Sequence, residues 1–197
     1  YNNPDAYFYL GNLYSNCNNN KYNASKAVQY FLKSIEIHYD KKIVYNSVDR
    51  SGIIKNIYNN YFYHSYNDLG LIYIIVFEDI NKGFEYIKKS AFGEYPFGQN
   101  NFGLINEIYY NGISYAKYMF KKSSKQNFAL AEFNLGRLKE KKGKIEKSIE
   151  KYKKASDDED KPLIFHDHEH NDVQLEISKK LIICLTNLKL TEYYFLH

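Results

Sequence analysis

The chain has 197 residues, of which 44% are hydrophobic and 25% charged, and 27 basic against 23 acidic side chains leave a net charge of +4. This length suits one domain or one short repeat array, and the apolar share is enough to bury a core. Three classes lose support: the charge is too balanced to indicate nucleic acid by itself, apolar runs such as Leu71 to Phe77 fall far short of the roughly 20 residues of a membrane helix, and Cys17 and Cys184, far apart, form neither a disulfide framework nor a zinc motif.

The aromatic content is unusual, with 22 Tyr, 13 Phe and no Trp, and only 3 Pro interrupt helices. Asn, Lys, Ile and Tyr share codons rich in A and T, so part of this bias is genomic. The chain starts at Tyr1 without methionine, and no signal segment is visible. Compartment stays open between the cytoplasm and a secretory lumen, where the sequon Asn23-Ala24-Ser25 would matter.

Taken in chain order, the sequence repeats itself. A bulky apolar residue followed by glycine occurs at Leu10-Gly11, Leu69-Gly70, Phe102-Gly103 and Leu135-Gly136; the last three glycines are 33 residues apart and the first interval is 59. A small residue stands four positions before each apolar one: Ala6, Ser65, Gly98 and Ala131. Tyr14 and Tyr73 follow the first two glycines at three residues, whereas Asn106 and Lys139 break that pattern. A second block comes after each glycine. It runs Ala27, Tyr30-Phe31, Ser34 in the first unit, Gly83, Tyr86-Ile87, Ser90 in the second, Ala116, Met119-Phe120, Ser123 in the third, and Ser148, Lys151-Tyr152, Ala155 in the fourth. Small, then large at i+3 and i+4, then small at i+7 marks one face of a helix. Glycine inside a helix costs about 1 kcal/mol relative to alanine, so its recurrence predicts a contact where even a methyl group would intrude. Each unit is then a hairpin of two antiparallel helices, with turns at Asn18 to Asn20, Glu78-Asp79, Asn111-Gly112 and Lys142-Gly143. A lone hairpin cannot bury its apolar face, so the units must stack.

The predicted organisation is a single helical-repeat domain over 1–197: repeat 1 over about 1–37, a helical insertion or degenerate repeat over 38–61, repeat 2 over 62–94, repeat 3 over 95–127, repeat 4 over 128–156, an acidic and histidine-rich loop over 157–170, and a C-terminal helix over 171–197. Residues 38–61 carry apolar spacings of 3 and 4 at Ile54, Ile57 and Tyr58, which predict at least one extra helix; a partner-binding insertion is the alternative. The mixed Lys and Glu run from Lys139 to Lys154 reads as a solvated helix face, a nucleic-acid face being the minority reading. His166, His168 and His170 are candidate metal ligands, but the spacing resembles no closed site and no cysteine supports it, so an exposed polar loop is preferred. Val173, Ile177, Leu181, Leu185 and Leu188 recur at helical spacing after a cap at Asn171 or Asp172, as a helix covering the end of the array would.

The pattern small-x-x-x-Leu-Gly-x-x-Tyr, then Lys-Ala-x-x-large-large-x-Lys-small, resembles the Sel-one-like repeat, a relative of the tetratricopeptide repeat. Ala6, Leu10, Gly11, Tyr14, Lys26, Ala27, Tyr30, Phe31, Lys33 and Ser34 carry it most fully, and it covers about 1–37 and 62–156. Departures are the missing glycine-rich turn, Asn106 and Lys139 in place of an aromatic, and the unmatched 38–61. The resemblance implies an all-α fold, a right-handed α-solenoid of stacked antiparallel hairpins with a C-terminal capping helix, and a non-catalytic scaffold or adaptor for other proteins, without a cofactor. In related arrays the first helix of each unit lines the concave face, so Phe8, Asn12, Asn67, Asn100, Glu107, Phe133, Arg137 and Glu140 are the expected partner-binding residues. Amides can bond a peptide backbone and aromatics can hold its side chains; Leu71, Ile74 and Leu104 read instead as buried between units. No phosphate loop, nucleophile elbow or paired-cysteine motif is present. An RNA-binding helical repeat is the alternative, and a metal-dependent enzyme built on His166 to His170 a weaker one.

Overall fold

The computed structural model describes residues 3–16, 20–41, 44–48, 54–58 and 60–158. The chain divides into a compact unit Tyr1–Phe165 and a second unit His166–His197, the latter wholly outside the described residues. The expected His166, His168 and His170 cluster and the capping helix over 171–197 therefore fall outside them too. Eight helices are described: α1 Pro4–Ser15, α2 Ala24–Lys41, α3 Asn60–Ile75, α4 Ile80–Phe92, α5 Pro96–Tyr110, α6 Ile113–Ser124, α7 Ala129–Glu140 and α8 Ile145–Asp158.

Local chemistry starts and stops these helices. Asn3 Oδ1 accepts the Asp5 amide at 3.0 Å, with Pro4 in the first turn of α1. Asn23 Oδ1 accepts the Lys26 amide at 3.0 Å and Asp79 Oδ1 the Lys82 amide at 2.9 Å, so α2 and α4 begin on side-chain caps. Asn111 closes α5 in the left-handed region, at φ 52°.

The helices pair in sequence order as four hairpins, and α2–α3, α4–α5 and α6–α7 join successive hairpins. The first helices also touch each other, α1 with α3 and α3 with α5. Within each hairpin the repeated glycine meets the second large residue of the partner helix. A methyl group added at Gly11, Gly70, Gly103 or Gly136 would lie 2.5–2.6 Å from Phe31, Ile87, Phe120 or Tyr152. Even ordinary carbon contacts need about 3.5 Å, so the glycine pattern records the spacing of the paired helices. Ala27, Phe31, Ile87, Ala116 and Phe120 are fully buried there, and removing a side chain the size of Phe or Ile from water contributes about 1.5–3 kcal/mol. The small i+7 residues serve the same interface: Ser90 Oγ donates to the Tyr63 carbonyl at 2.8 Å and Ser123 Oγ to the Pro96 carbonyl at 2.7 Å.

Tyr14 and Tyr73 join this interface as well. Tyr30 stacks between Tyr7 and Tyr14, and Tyr86 between Tyr66 and Tyr73, with Lys26 and Lys82 over the Tyr14 and Tyr73 rings. In the third hairpin Asn106 instead donates to the Phe102 carbonyl at 2.7 Å.

One expectation is corrected. Among the described residues of 38–61, α2 runs on to Lys41 and α3 begins at Asn60, and in place of an extra helix Val44–Val48 pairs antiparallel with Ile54–Tyr58, Val44 opposite Tyr58 and Val48 opposite Ile54. Periodicity in a short apolar run does not separate helix from strand. Here the density of β-branched and aromatic residues (Val44, Tyr45, Val48, Ile54, Ile57, Tyr58) decides for strands.

Candidate binding surface

Three kinds of contact knit the first helices together. At their N-terminal ends runs a chain of rings: Phe8 lies 5.7 Å from His64, His64 4.1 Å from Tyr95, Tyr95 5.1 Å from Phe97, and Phe97 4.4 Å from Phe128. His64 is buried in this chain, and burial drives its pKa from 6.5 down to about 3, so the imidazole is neutral. One turn on, burial raises the Asp68 carboxyl to about 7, against the lowering effect of its bond from Asn67.

Further along, asparagines bridge the units. Asn101 Nδ2 donates to Asn67 Oδ1 at 2.8 Å, and Asn134 Nδ2 to Asn100 Oδ1 at 2.9 Å. All four are buried. Each bond links residues 34 apart, one more than the sequence period, because it runs diagonally from one unit to the next. Near the C-terminal end of the row, Arg137 grips Glu107 through two bonds of 2.8 and 2.6 Å, and Lys141 adds a third at 3.0 Å. Burial alone would raise the Glu107 carboxyl; Arg137 and Lys141 outweigh it and hold it below its ordinary value. A second buried acid, Glu132, accepts Ser124 Oγ at 2.6 Å and pairs with Lys151 and Lys154. Burial raises its pKa, but these bonds bring it below the usual range.

This geometry redistributes the residues expected to bind a partner. Phe8, Asn67 and Asn100 have no exposed surface; their place on a binding face is corrected to a place between units, because a following hairpin packs against each of the first three units at the position two before the apolar–Gly pair. Glu107 and Arg137 come together, but on each other. Asn12 is half-buried on α1. Phe133 is 43% exposed, its ring 5.3 Å from Tyr152, and the exposed Glu140 accepts the Tyr152 hydroxyl at 2.6 Å. Burial, then Glu140, push the Tyr152 phenol up to about 12. Leu71 and Ile74 are buried, as expected, whereas Leu104 is only half-buried against the cluster of Ala116, Phe120, Leu135 and Leu138.

The sequence reading passed over Asn101, Asn134, Glu132 and Lys141. The signal for the first two was present: asparagine recurs beside the apolar–Gly pair in successive units, at Asn67, Asn100, Asn101 and Asn134.

An open cleft of about 600 Å³ lies between the α3–α4 turn and the end of α5, lined by Phe77, Glu78, Asp79, Ile80, Asn81, Tyr109 and Tyr110. The Asp79 carboxylate in it is engaged in capping α4. Among the described residues no three His, Cys, Asp or Glu side chains group as a metal site, and no described helix is long and apolar enough to cross a membrane.

Paired helices in register, a close-contact glycine in each pair and polar bridges between pairs define a helical-hairpin repeat protein, an α-solenoid with the fold of Sel1-like repeats. Among solved structures, the chain is similar to a Sel1 repeat protein from Oxalobacter formigenes (18% identity, TM-score 0.54, covering 79% of this chain and 57% of that one). It is also similar to MamA (17%, 0.52, 81% and 80%) and to BtubC (BKLC) from P. vanneervenii (14%, 0.52, 85% and 69%). At these identities the likeness establishes the fold alone. No family model matches the sequence, and no curated protein matches it.

Proposed function

We propose that this protein is a non-catalytic interaction scaffold that holds a segment of a partner protein along the row of first helices. The observation that carries this reading is the state of that row. Its buried positions lock unit to unit, leaving a fixed strip with Asn12, Asp68, Leu104, Arg137, Phe133 and Glu140 open or half-open along it. A preformed strip of mixed amide, apolar and charged groups suits an extended segment and orders little on binding. Glu107 and Glu132 are held by cations and His64 is enclosed by rings, which supports a binding role for this row over a catalytic one.

The test is site-specific photo-crosslinking. A photoreactive residue is placed at Asn12, Leu104 or Phe133, and at Lys88 or Lys153 on second helices. Partner adducts concentrated at the first three positions support the reading. Adducts equal at all five, or confined to Lys88 and Lys153, refute it.

A further inference from the structure

Two groups stand out among the described lysines. Lys33, Lys88, Lys122, Lys141, Lys151 and Lys154 each lie within 4.0 Å of a carboxylate. Lys117 and Lys121 of α6, Lys139 in the last turn of α7, Lys144 just before α8 and Lys147 in its first turn have no such partner among the described residues. These five converge. Helix α7 packs against both α6 and α8. Antiparallel pairing puts the end of α7, the start of α8 and the start of α6 along the same edge of the stack, with Lys117 in the first half of α6 and Lys121 one turn further on, on the same helix face. The Lys139 ammonium registers the convergence: it is held below its ordinary value first by desolvation and then by repulsion from Lys117, Lys144, Lys147 and Lys121.

Folding alone does not favour this arrangement. Cations at the start of a helix oppose the helix dipole; Lys144 immediately precedes α8 and Lys147 lies in its first turn. Of the neighbouring carboxylates, Glu107 is engaged by Arg137 and Lys141 and Glu140 by Tyr152, which leaves Glu146 as the one acid in the first turn of α8 beside five lysines.

We propose that Lys117, Lys121, Lys139, Lys144 and Lys147 form a docking surface for an acidic, Asp- and Glu-rich segment of a partner protein. The proposal rests on the scaffold reading and gives one such partner its chemistry. Charge complementarity selects the occupant, and the aromatic rings distinguish an acidic peptide from a single nucleic-acid strand. A single strand is held by bases stacked on rings within a basic groove. Here the exposed rings of α6, Tyr115 and Tyr118, lie 6.1 Å from each other, and Tyr115 turns to Phe102 of α5, away from α7.

The test measures fluorescence anisotropy of a labelled decaglutamate peptide with the full chain at about 50 mM and about 250 mM salt, the higher value screening exposed charges strongly. Binding at low salt, weakened at high salt, is expected. Replacing the five lysines by glutamine should weaken it by about tenfold or more, whereas Lys88→Gln with Lys153→Gln should leave it within about twofold. Circular dichroism checks folding. Should the fivefold variant unfold, Lys117→Gln with Lys121→Gln, and Lys144→Gln with Lys147→Gln, each expected to weaken binding about threefold, replace it. No binding at low salt, undiminished binding by the lysine variants, or tighter binding of a single-stranded RNA through these same lysines overturns the proposal. Crosslinking along the first helices is independent of this measurement, so the two readings fail separately.

Discussion

Replacing Gly70 by alanine tests the physical basis of the repeat. In an isolated helix the change would help by about 1 kcal/mol. In the folded chain the new methyl would lie 2.5 Å from Ile87 Cγ1, 2.8 Å from the Gly83 carbonyl oxygen and 3.0 Å from the Ile87 amide nitrogen. Two of these obstacles are backbone, so no side-chain rotation clears them and α3 must move off α4. Overpacking of this kind costs about 3 kcal/mol, leaving Gly70→Ala destabilised by about 2 kcal/mol net. For a chain of this size that lowers the melting temperature by roughly 4–8 °C. Gly136→Ala is the internal control. There the methyl meets Tyr152 ring carbons at 2.6 and 2.7 Å and Lys151 Cβ at 3.3 Å. Tyr152 is only partly buried, in the last described hairpin, and can swing outward. The two terms then nearly cancel, and stability should stay within about 1 kcal/mol of the parent. Thermal and urea unfolding followed by circular dichroism reads both variants. The reasoning fails if Gly70→Ala is as stable as the parent, or if both variants lose the same amount.

His64 and Asp68 should oppose each other as pH changes. His64 has a folded pKa of about 3 against 6.5 unfolded, so its contribution is present above 6.5 and is lost as pH falls toward 3; Asp68, raised from 3.8 to about 7, contributes fully below 3.8 and loses that contribution as pH rises through 7. Each term changes by about 2 kcal/mol between pH 7 and 5 at 1.36 kcal/mol per unit, so, relative to the parent, Asp68→Asn should lose stability toward pH 5 and His64→Phe should gain it; urea unfolding at both pH values that shows three parallel profiles would remove this account. Asn101→Leu strands the buried Asn67 Oδ1 and should cost about 1–3 kcal/mol, with Asn67→Leu in the same chain restoring at least half; an additive double-mutant cycle would mean the two amides do not interact. Glu107→Gln should cost about 1.5–3 kcal/mol at pH 7 through its weakened bonds to Arg137 and Lys141. That carboxyl is held below its ordinary 4.5, so its contribution is lost as pH falls through its folded value, and the gap between parent and variant should shrink in acid unfolding curves; a constant gap would contradict the pairing.

The hairpins and their internal contacts were legible because they are local. The small and large residues at i, i+3, i+4 and i+7 and the glycine 12 to 16 residues earlier occupy one interface, repeated four times. Strict geometry imposed that often leaves a composition signal. The Tyr14 and Tyr73 positions were visible for the same reason, since each stacks on a ring of its own hairpin.

The row of first helices was less legible. Asn67 and Asn100 look like surface amides in sequence, and their burial depends on how far each hairpin is staggered against the next, a quantity no single repeat encodes. That stagger pairs Asn67 with Asn101 and Asn100 with Asn134. It also gave Glu107 and Arg137 to each other and set α7, which carries Lys139, against both α6 and α8. By itself, then, the amino-acid order determined the repeating helix pair and its close contact, because those forces act between residues near in the chain. Tertiary structure alone decided which polar side chains seal the units and which stay exposed, because that depends on the packing of one hairpin against the next.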